Sequence, residues 1–140
     1  MKLGALDHVN VRTSDVEGMA AWYTRVLGME RGKRPDFSFP GAWMYCNGHP
    51  SVHLVGMPSK PKGTDDPTLE HFAFAATGLQ SFVEHLKRDE VRYDVGVVPG
   101  IDIVQINVWD PDGNHIHIDF PADESKAFIK AQGGAETKLY

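Results

Sequence analysis

Leu69-Glu70-His71-Phe72-Ala73-Phe74 restates Leu6-Asp7-His8-Val9-Asn10-Val11: a leucine, an acid, a histidine, then an apolar-rich strand, 63 residues further along. A match at that distance points to one supersecondary unit used twice. The residues downstream of each copy support this. After the first come Ser14-Asp15-Val16-Glu17, a helix cap with acids in the first turn. Apolar residues then recur at helical spacing at Met19, Trp22, Tyr23, Val26 and Leu27, with Gly28 as the stop. After the second come Gly78 and the helical series Leu79, Phe82, Val83, Leu86.

Each half then continues as strands. The first is read at Phe37–Phe39, Ala42–Cys46 and Ser51–Val55, and the second at Val91–Val98, Ile101–Trp109 and His115–Phe120. Glycine, asparagine and proline punctuate them. The closing strand of each half carries a histidine, His53 and His117, 64 residues apart. The expected architecture is α+β: two βαβββ modules forming a curved mixed sheet around a central pocket. Residues 1–140 read as a single domain, with module one at about 4–57, a connector at 58–68 and module two at about 69–120. A C-terminal helix and tail complete the chain at 121–140, with Ala122–Ala131 helical and a loose stretch from Gly133-Gly134.

The histidines carry the chemistry. A lone strand histidine is read as an ordinary polar residue, but His8, His53, His71 and His117 hold matched positions in the two halves. Alternation sharpens this, because residues i and i+2 of a strand share a face. Val9, Val52, Leu54, Phe72, Phe74, Ile116 and Ile118 can cover the helices while the histidines point the opposite way. If the halves are related by a pseudo-twofold axis, the four imidazoles meet and make a site for one divalent metal ion. Neutral imidazole suits Zn, Ni, Cu and Fe. Asn10, Arg12, Gln105 and Asn107 fall on the same face and are the expected substrate contacts. Asp119, two residues past His117, either orients a ligand histidine or is an ordinary strand-end carboxylate. Arg12 either grips a carboxylate or phosphate through its guanidinium fork or stands solvated. Trp43 and Tyr45 are read chiefly as core and otherwise as a wall of the pocket, His49 as a turn residue, His85 as surface, and His115 as no more than the rim of the pocket.

Composition narrows the class. Hydrophobic residues at 41% and charged residues at 24% are ordinary for a globular domain, and a net charge of −5 argues against a nucleic-acid or anionic-membrane surface. The one cysteine, Cys46, excludes an intrachain disulfide. No signal peptide and no transmembrane run is visible, so a cytoplasmic location is expected. No nucleophile triad, phosphate loop or nucleotide fingerprint is present, and no catalytic residue is assigned.

Three stretches resemble the vicinal oxygen chelate superfamily, which includes glyoxalase I, bleomycin resistance proteins and extradiol dioxygenases. They are Leu6-Asp7-His8-Val9, Trp22-Tyr23-Thr24-Arg25-Val26-Leu27-Gly28-Met29, and Asp110-Pro111-Asp112-Gly113-Asn114-His115-Ile116-His117. The resemblance runs from about Leu6 to Phe120 and puts the family's metal positions on His8, His53, His71 and His117. It departs from the family at His53 and His117, where glutamate (or, at the first, glutamine) is usual and doubles as the proton-transfer group. All-imidazole ligation leaves the metal charge uncompensated, which strengthens the Lewis acid and attracts anions.

The resemblance implies one divalent ion, Zn, Ni or Fe. It implies a glyoxalase-like lyase or isomerase acting on a small oxygenated, anionic substrate, and places Arg12 where glyoxalase I holds a substrate carboxylate. The alternatives are an extradiol-type dioxygenase and a non-catalytic small-molecule binding or resistance protein. The expected partners are a small-molecule substrate and a second copy in a homodimer, with no nucleic acid and no membrane.

Overall fold

The computed structural model describes residues 1–63, 66–98, 100–101 and 103–132; the expected loose stretch from Gly133 lies outside them. The chain divides into two compact units, Met1–Asp65 and Asp66–Tyr140. Each is a βαβββ module with its own four-stranded mixed sheet, and the second adds a C-terminal helix.

In the first unit, strand β1 (Val9–Thr13) leads into helix α1 (Val16–Leu27), then β2 (Glu30–Gly32), β3 (Gly41–Cys46) and β4 (His49–Gly56). The sheet order is β1-β4-β3-β2, with β1 parallel to β4 and the other pairs antiparallel. Helix α1 starts where the Asp15 side chain accepts from the Gly18 N–H at 2.9 Å. It ends at Gly28, whose φ of 65° is cheap only for glycine. Met19, Ala20, Trp22, Tyr23 and Val26 form its buried stripe, and Val11, Ala42, Met44, Val52 and Leu54 are the buried apolar sheet residues of this unit. Full burial of such side chains stabilises by about 1.5–3 kcal/mol each.

The strand expected at Phe37–Phe39 is not formed; the second strand is Glu30–Gly32 instead. Pro35 and Pro40 bracket the segment, and Phe37 N–H turns back to the Pro35 carbonyl at 2.9 Å. Phe37 and Phe39 stack at 5.1 Å, and the Arg34 guanidinium lies 4.7 Å and 4.9 Å from their ring centroids. Strand β4 begins earlier than expected and contains Pro50. Its parallel pairing with β1 starts only at Val9↔Val52, so the missing N–H of Pro50 interrupts no bond to β1.

The second unit repeats the plan with β5 (His71–Ala75), α2 (Leu79–Arg88), β6 (Tyr93–Val98), β7 (Ile103–Trp109), β8 (His115–Asp119) and α3 (Ala122–Ala131). Its order, β5-β8-β7-β6, matches that of the first sheet strand for strand. Leu79, Val83 and Leu86 of α2, Phe128 of α3, and Val104, Ile106, Val108, Ile116 and Ile118 of the sheet supply its core. Helix α2 has glycine, not a capping side chain, at its N-cap. Glu124 of α3 fills that role, accepting from Gly78 N–H at 2.8 Å and Leu79 N–H at 2.7 Å.

Between β7 and β8, buried Asp110 organises the turn. It accepts from the N–H groups of Asp112 and Asn114 at 3.1 Å and 2.9 Å and from Asn114 Nδ2 at 2.8 Å. The turn delivers His115 and His117 onto β8 in fixed register.

Candidate metal centre

Strand alternation places the histidines. In the second sheet, His71, His115 and Trp109 are register partners in one row, and Ala73, His117 and Asn107 form the next. His71 and His117 stack at 3.8 Å with 8° between their planes, and His115 meets His117 edge-on at 4.6 Å. Glu70, immediately before β5, binds two of these rings. His71 Nδ1 donates to its Oε2, and His115 Nδ1 lies 2.6 Å from its Oε1. The other nitrogen of His115, Nε2, lies 2.8 Å from Oδ1 of fully buried Asn107. One ligand atom from each of Glu70, His71, His115 and His117 lies within 4.8 Å of the other three, a group that could hold a metal ion.

The first unit assembles a smaller counterpart. His53 of β4 is sandwiched between the rings of His8 at 3.9 Å and Trp43 at 4.0 Å. His8 Nδ1 lies 2.6 Å from Asp7 Oδ2. His49 Nε2 donates to the Asp7 carbonyl at 2.8 Å and lies 3.4 Å from its Oδ1. His53 is only 9% exposed, and its Nε2 is buried with no hydrogen-bond partner among the described residues. Leaving such a polar atom unsatisfied costs roughly 1–3 kcal/mol. An ion accepting that lone pair would remove the penalty, so the donor fits a metal.

Electrostatics favour ligand-ready imidazoles. Burial pulls His53 below the ordinary imidazole value, and neighbouring His8 pushes the same way. Burial does the same to His117, aided by His71 and His115 and opposed by the negative charges of Asp119 and Glu70. A ring held neutral at pH 7 keeps a lone pair for a metal. The bonds from His71 and His115 hold Glu70 down to about 2, so it is a carboxylate at any ordinary pH.

The structure thus brings His8 to His53 and His71 to His117. Asn10 and Arg12 are exposed on β1, with Asn10 the register partner of His53; Arg12 makes no ion pair among the described residues. Gln105 and Asp119 bind each other, Nε2 to Oδ1 at 2.9 Å. Asn107 is tied to His115. Trp43, read as core or as a wall of the pocket, is stacked on His53, and Tyr45 donates from its hydroxyl to the Lys33 carbonyl at 2.7 Å. His49 and His115, read as turn and rim, each open the last strand of their unit and bind an acid. Sequence reasoning assigned no role to that acid. Its signal was present as the residue before the histidine in both halves, Asp7 and Glu70.

A duplicated βαβββ module, with imidazoles paired on its strands and a His/Glu group that could hold a metal ion in the second copy, defines the class by its fold. The family model of the Glyoxalase/Bleomycin resistance protein/Dioxygenase superfamily matches residues 5–118, and the chain belongs to that superfamily. The chain is 30% identical over 125 residues to Glyoxylase I 4 of Arabidopsis thaliana, covering 84% of this chain and 71% of the relative. A solved structure described as of the glyoxalase family, from Bacillus anthracis, matches with a TM-score of 0.71 at 22% identity, over 86% of this chain and 97% of that one. The trypanothione-dependent glyoxalase I of Leishmania major matches with a TM-score of 0.65 at 20% identity, over 95% and 100% of the two chains. At these identities the two structures speak for the fold alone. Among the described residues no helix is long and apolar enough to cross a membrane.

Proposed function

We propose that this chain is a metal-dependent, glyoxalase-like lyase or isomerase acting on a small oxygenated anion. The observation that carries this is the second-unit cluster, where His71 and His117 stack at 3.8 Å beside His115 and Glu70, in a group compact enough to hold a metal ion. His71 and His117 are the ligands there, and His8 and His53 are the imidazoles the first unit offers. A divalent ion of zinc, nickel or iron suits imidazole donors. Bound, it would supply Lewis acidity towards the substrate oxygens. The protein's own part is to hold neutral imidazoles in place and to receive the anion, for which Arg12, exposed and without an ion pair among the described residues, is available. The working form in this reading is a cytoplasmic homodimer.

The test is exchange of the proton next to the carbonyl carbon in deuterated water, over a panel of small 2-oxo and 2-hydroxy acids and their thiol adducts. Exchange or conversion is expected with zinc, nickel or iron restored, and none after chelation. A metal-loaded protein inert to the whole panel contradicts the proposal. Oxygen uptake by iron-loaded protein with a catechol would favour the extradiol alternative. Tight binding of panel molecules without turnover or metal would favour a binding protein.

A further inference from the structure

The second unit contains an unbroken series of hydrogen bonds that ends on a proposed ligand. Asn107 is fully buried on β7, and its amide nitrogen lies 3.5 Å from the carbonyls of Asp94 and Gln105. Its other amide atom meets His115 Nε2 at 2.8 Å. His115 Nδ1 then meets Glu70 Oε1 at 2.6 Å, and Glu70 Oε2 accepts from His71 Nδ1. Both oxygens of Glu70 are therefore engaged by imidazoles; His115 lies between two acceptor oxygens, Glu70 Oε1 and Asn107 Oδ1, and donates to both with both ring hydrogens present, as the imidazolium. An ionised carboxylate only accepts hydrogen bonds, so the hydrogen of a neutral His71 belongs on Nδ1 and its lone pair on Nε2.

The first unit repeats the acid-to-histidine bond, though there the second histidine bonds the backbone carbonyl of the acid, with its carboxylate 3.4 Å away. Asp7 Oδ2 takes His8 Nδ1 at 2.6 Å, and Asp7 is held in turn by His49 through its carbonyl at 2.8 Å. His49 and His115 are the first residues of β4 and β8, the corresponding strands of the two units.

We infer that Glu70 is a positioning residue, not a ligand: braced by His115 and Asn107, it fixes His71 in the tautomer that presents Nε2 to a metal, as Asp7 does for His8. This rests on the metal reading above for its purpose, while the tautomer itself is observable without metal. Glu70 is largely exposed, so a lone bond from it to His71 would be weak in water. The second histidine and its buried amide give the carboxylate a fixed direction, which is how outer groups orient metal-binding rings.

The test is long-range proton–nitrogen correlation spectroscopy on metal-free protein labelled with nitrogen-15 at histidine, over a pH series in which the neutral forms of His71 and His8 are read, together with zinc titrations. In the unaltered protein His71 and His8 should both read as Nδ1–H tautomers. Glu70→Ala should shift His71 towards the Nε2–H form, leave His8 unchanged as an internal control of folding, and weaken zinc binding about 10–100-fold. Glu70→Gln, which keeps an acceptor, should recover part of both. An Nε2–H ring at His71 in the unaltered protein, or an unchanged ring in Glu70→Ala, overturns the inference. So does zinc loss in Glu70→Ala and Glu70→Gln as complete as in His71→Ala, because Glu70 would then be a ligand. If the unaltered protein binds no zinc, nickel or iron, the metal reading fails, while the spectra still decide the positioning.

Discussion

His53 shows how much a single side chain decides here. It is buried between two flat rings, and its Nε2 has no hydrogen-bond partner among the described residues. Burial also holds its pKa down, as it does for His117. Between its lowered native value and the ordinary value of 6.5, such a histidine is protonated in the unfolded chain but not in the native one. Proton uptake then favours unfolding. The metal-free protein should therefore lose stability as pH falls below about 6.5, the ordinary imidazole value, and His53→Phe should flatten that slope in urea titrations at stepped pH. Substituting Arg12 by alanine should raise KM for anionic substrates about tenfold with kcat nearly unchanged, as expected when uniform binding is removed. The pairing of His8 with His53 and of His71 with His117 was legible, because they hold matched positions on the two repeats. The partners of those rings were not. Whether Glu70 reaches His115 depends on cross-strand register between β5 and β8, and register is a tertiary property.

Elements were legible where local chemistry fixes them. Helix α1 carries its own cap and stop in Asp15 and Gly28, and the turn at Asp110–Asn114 is written in turn-forming residues. The Phe37–Phe39 stretch misled because aromatic residues favour strands, yet bracketing prolines and an arginine stacked over the rings settle it as a loop. Helix α2 shows the limit from the other side. Its cap is Glu124, 46 residues from Gly78, which no local pattern announces. Glu124→Ala should destabilise the protein by about 1 kcal/mol, the usual worth of a cap, measured as a lowered urea midpoint with m unchanged. Asp110→Ala removes three bonds from a buried carboxylate and should cost more, about 2–3 kcal/mol. Because that turn sets the approach of His115 and His117, zinc affinity should fall with it.

At the scale of the whole chain, duplication is the governing fact. Two offsets of nearly equal length predicted two copies of one module, and the two sheets share a strand order and a pattern of parallel and antiparallel pairs. Duplication did not predict the divergence between the copies. Trp43 stands beside His53 where Asn107 stands beside His117, so one imidazole is packed against indole and the other lies next to a hydrogen-bonding amide. Only the second copy gathers four ligand atoms within 4.8 Å among the described residues. Metal retention is therefore the deciding property. Purified protein, stripped by chelation and dialysed against zinc, nickel or iron, should retain a stoichiometric divalent ion by elemental analysis. His71→Ala with His117→Ala should abolish that retention while the far-ultraviolet circular dichroism stays unchanged. Protein that retains none of the three metals, or a folded double variant that holds as much as the unaltered chain, would contradict a metal centre at these histidines.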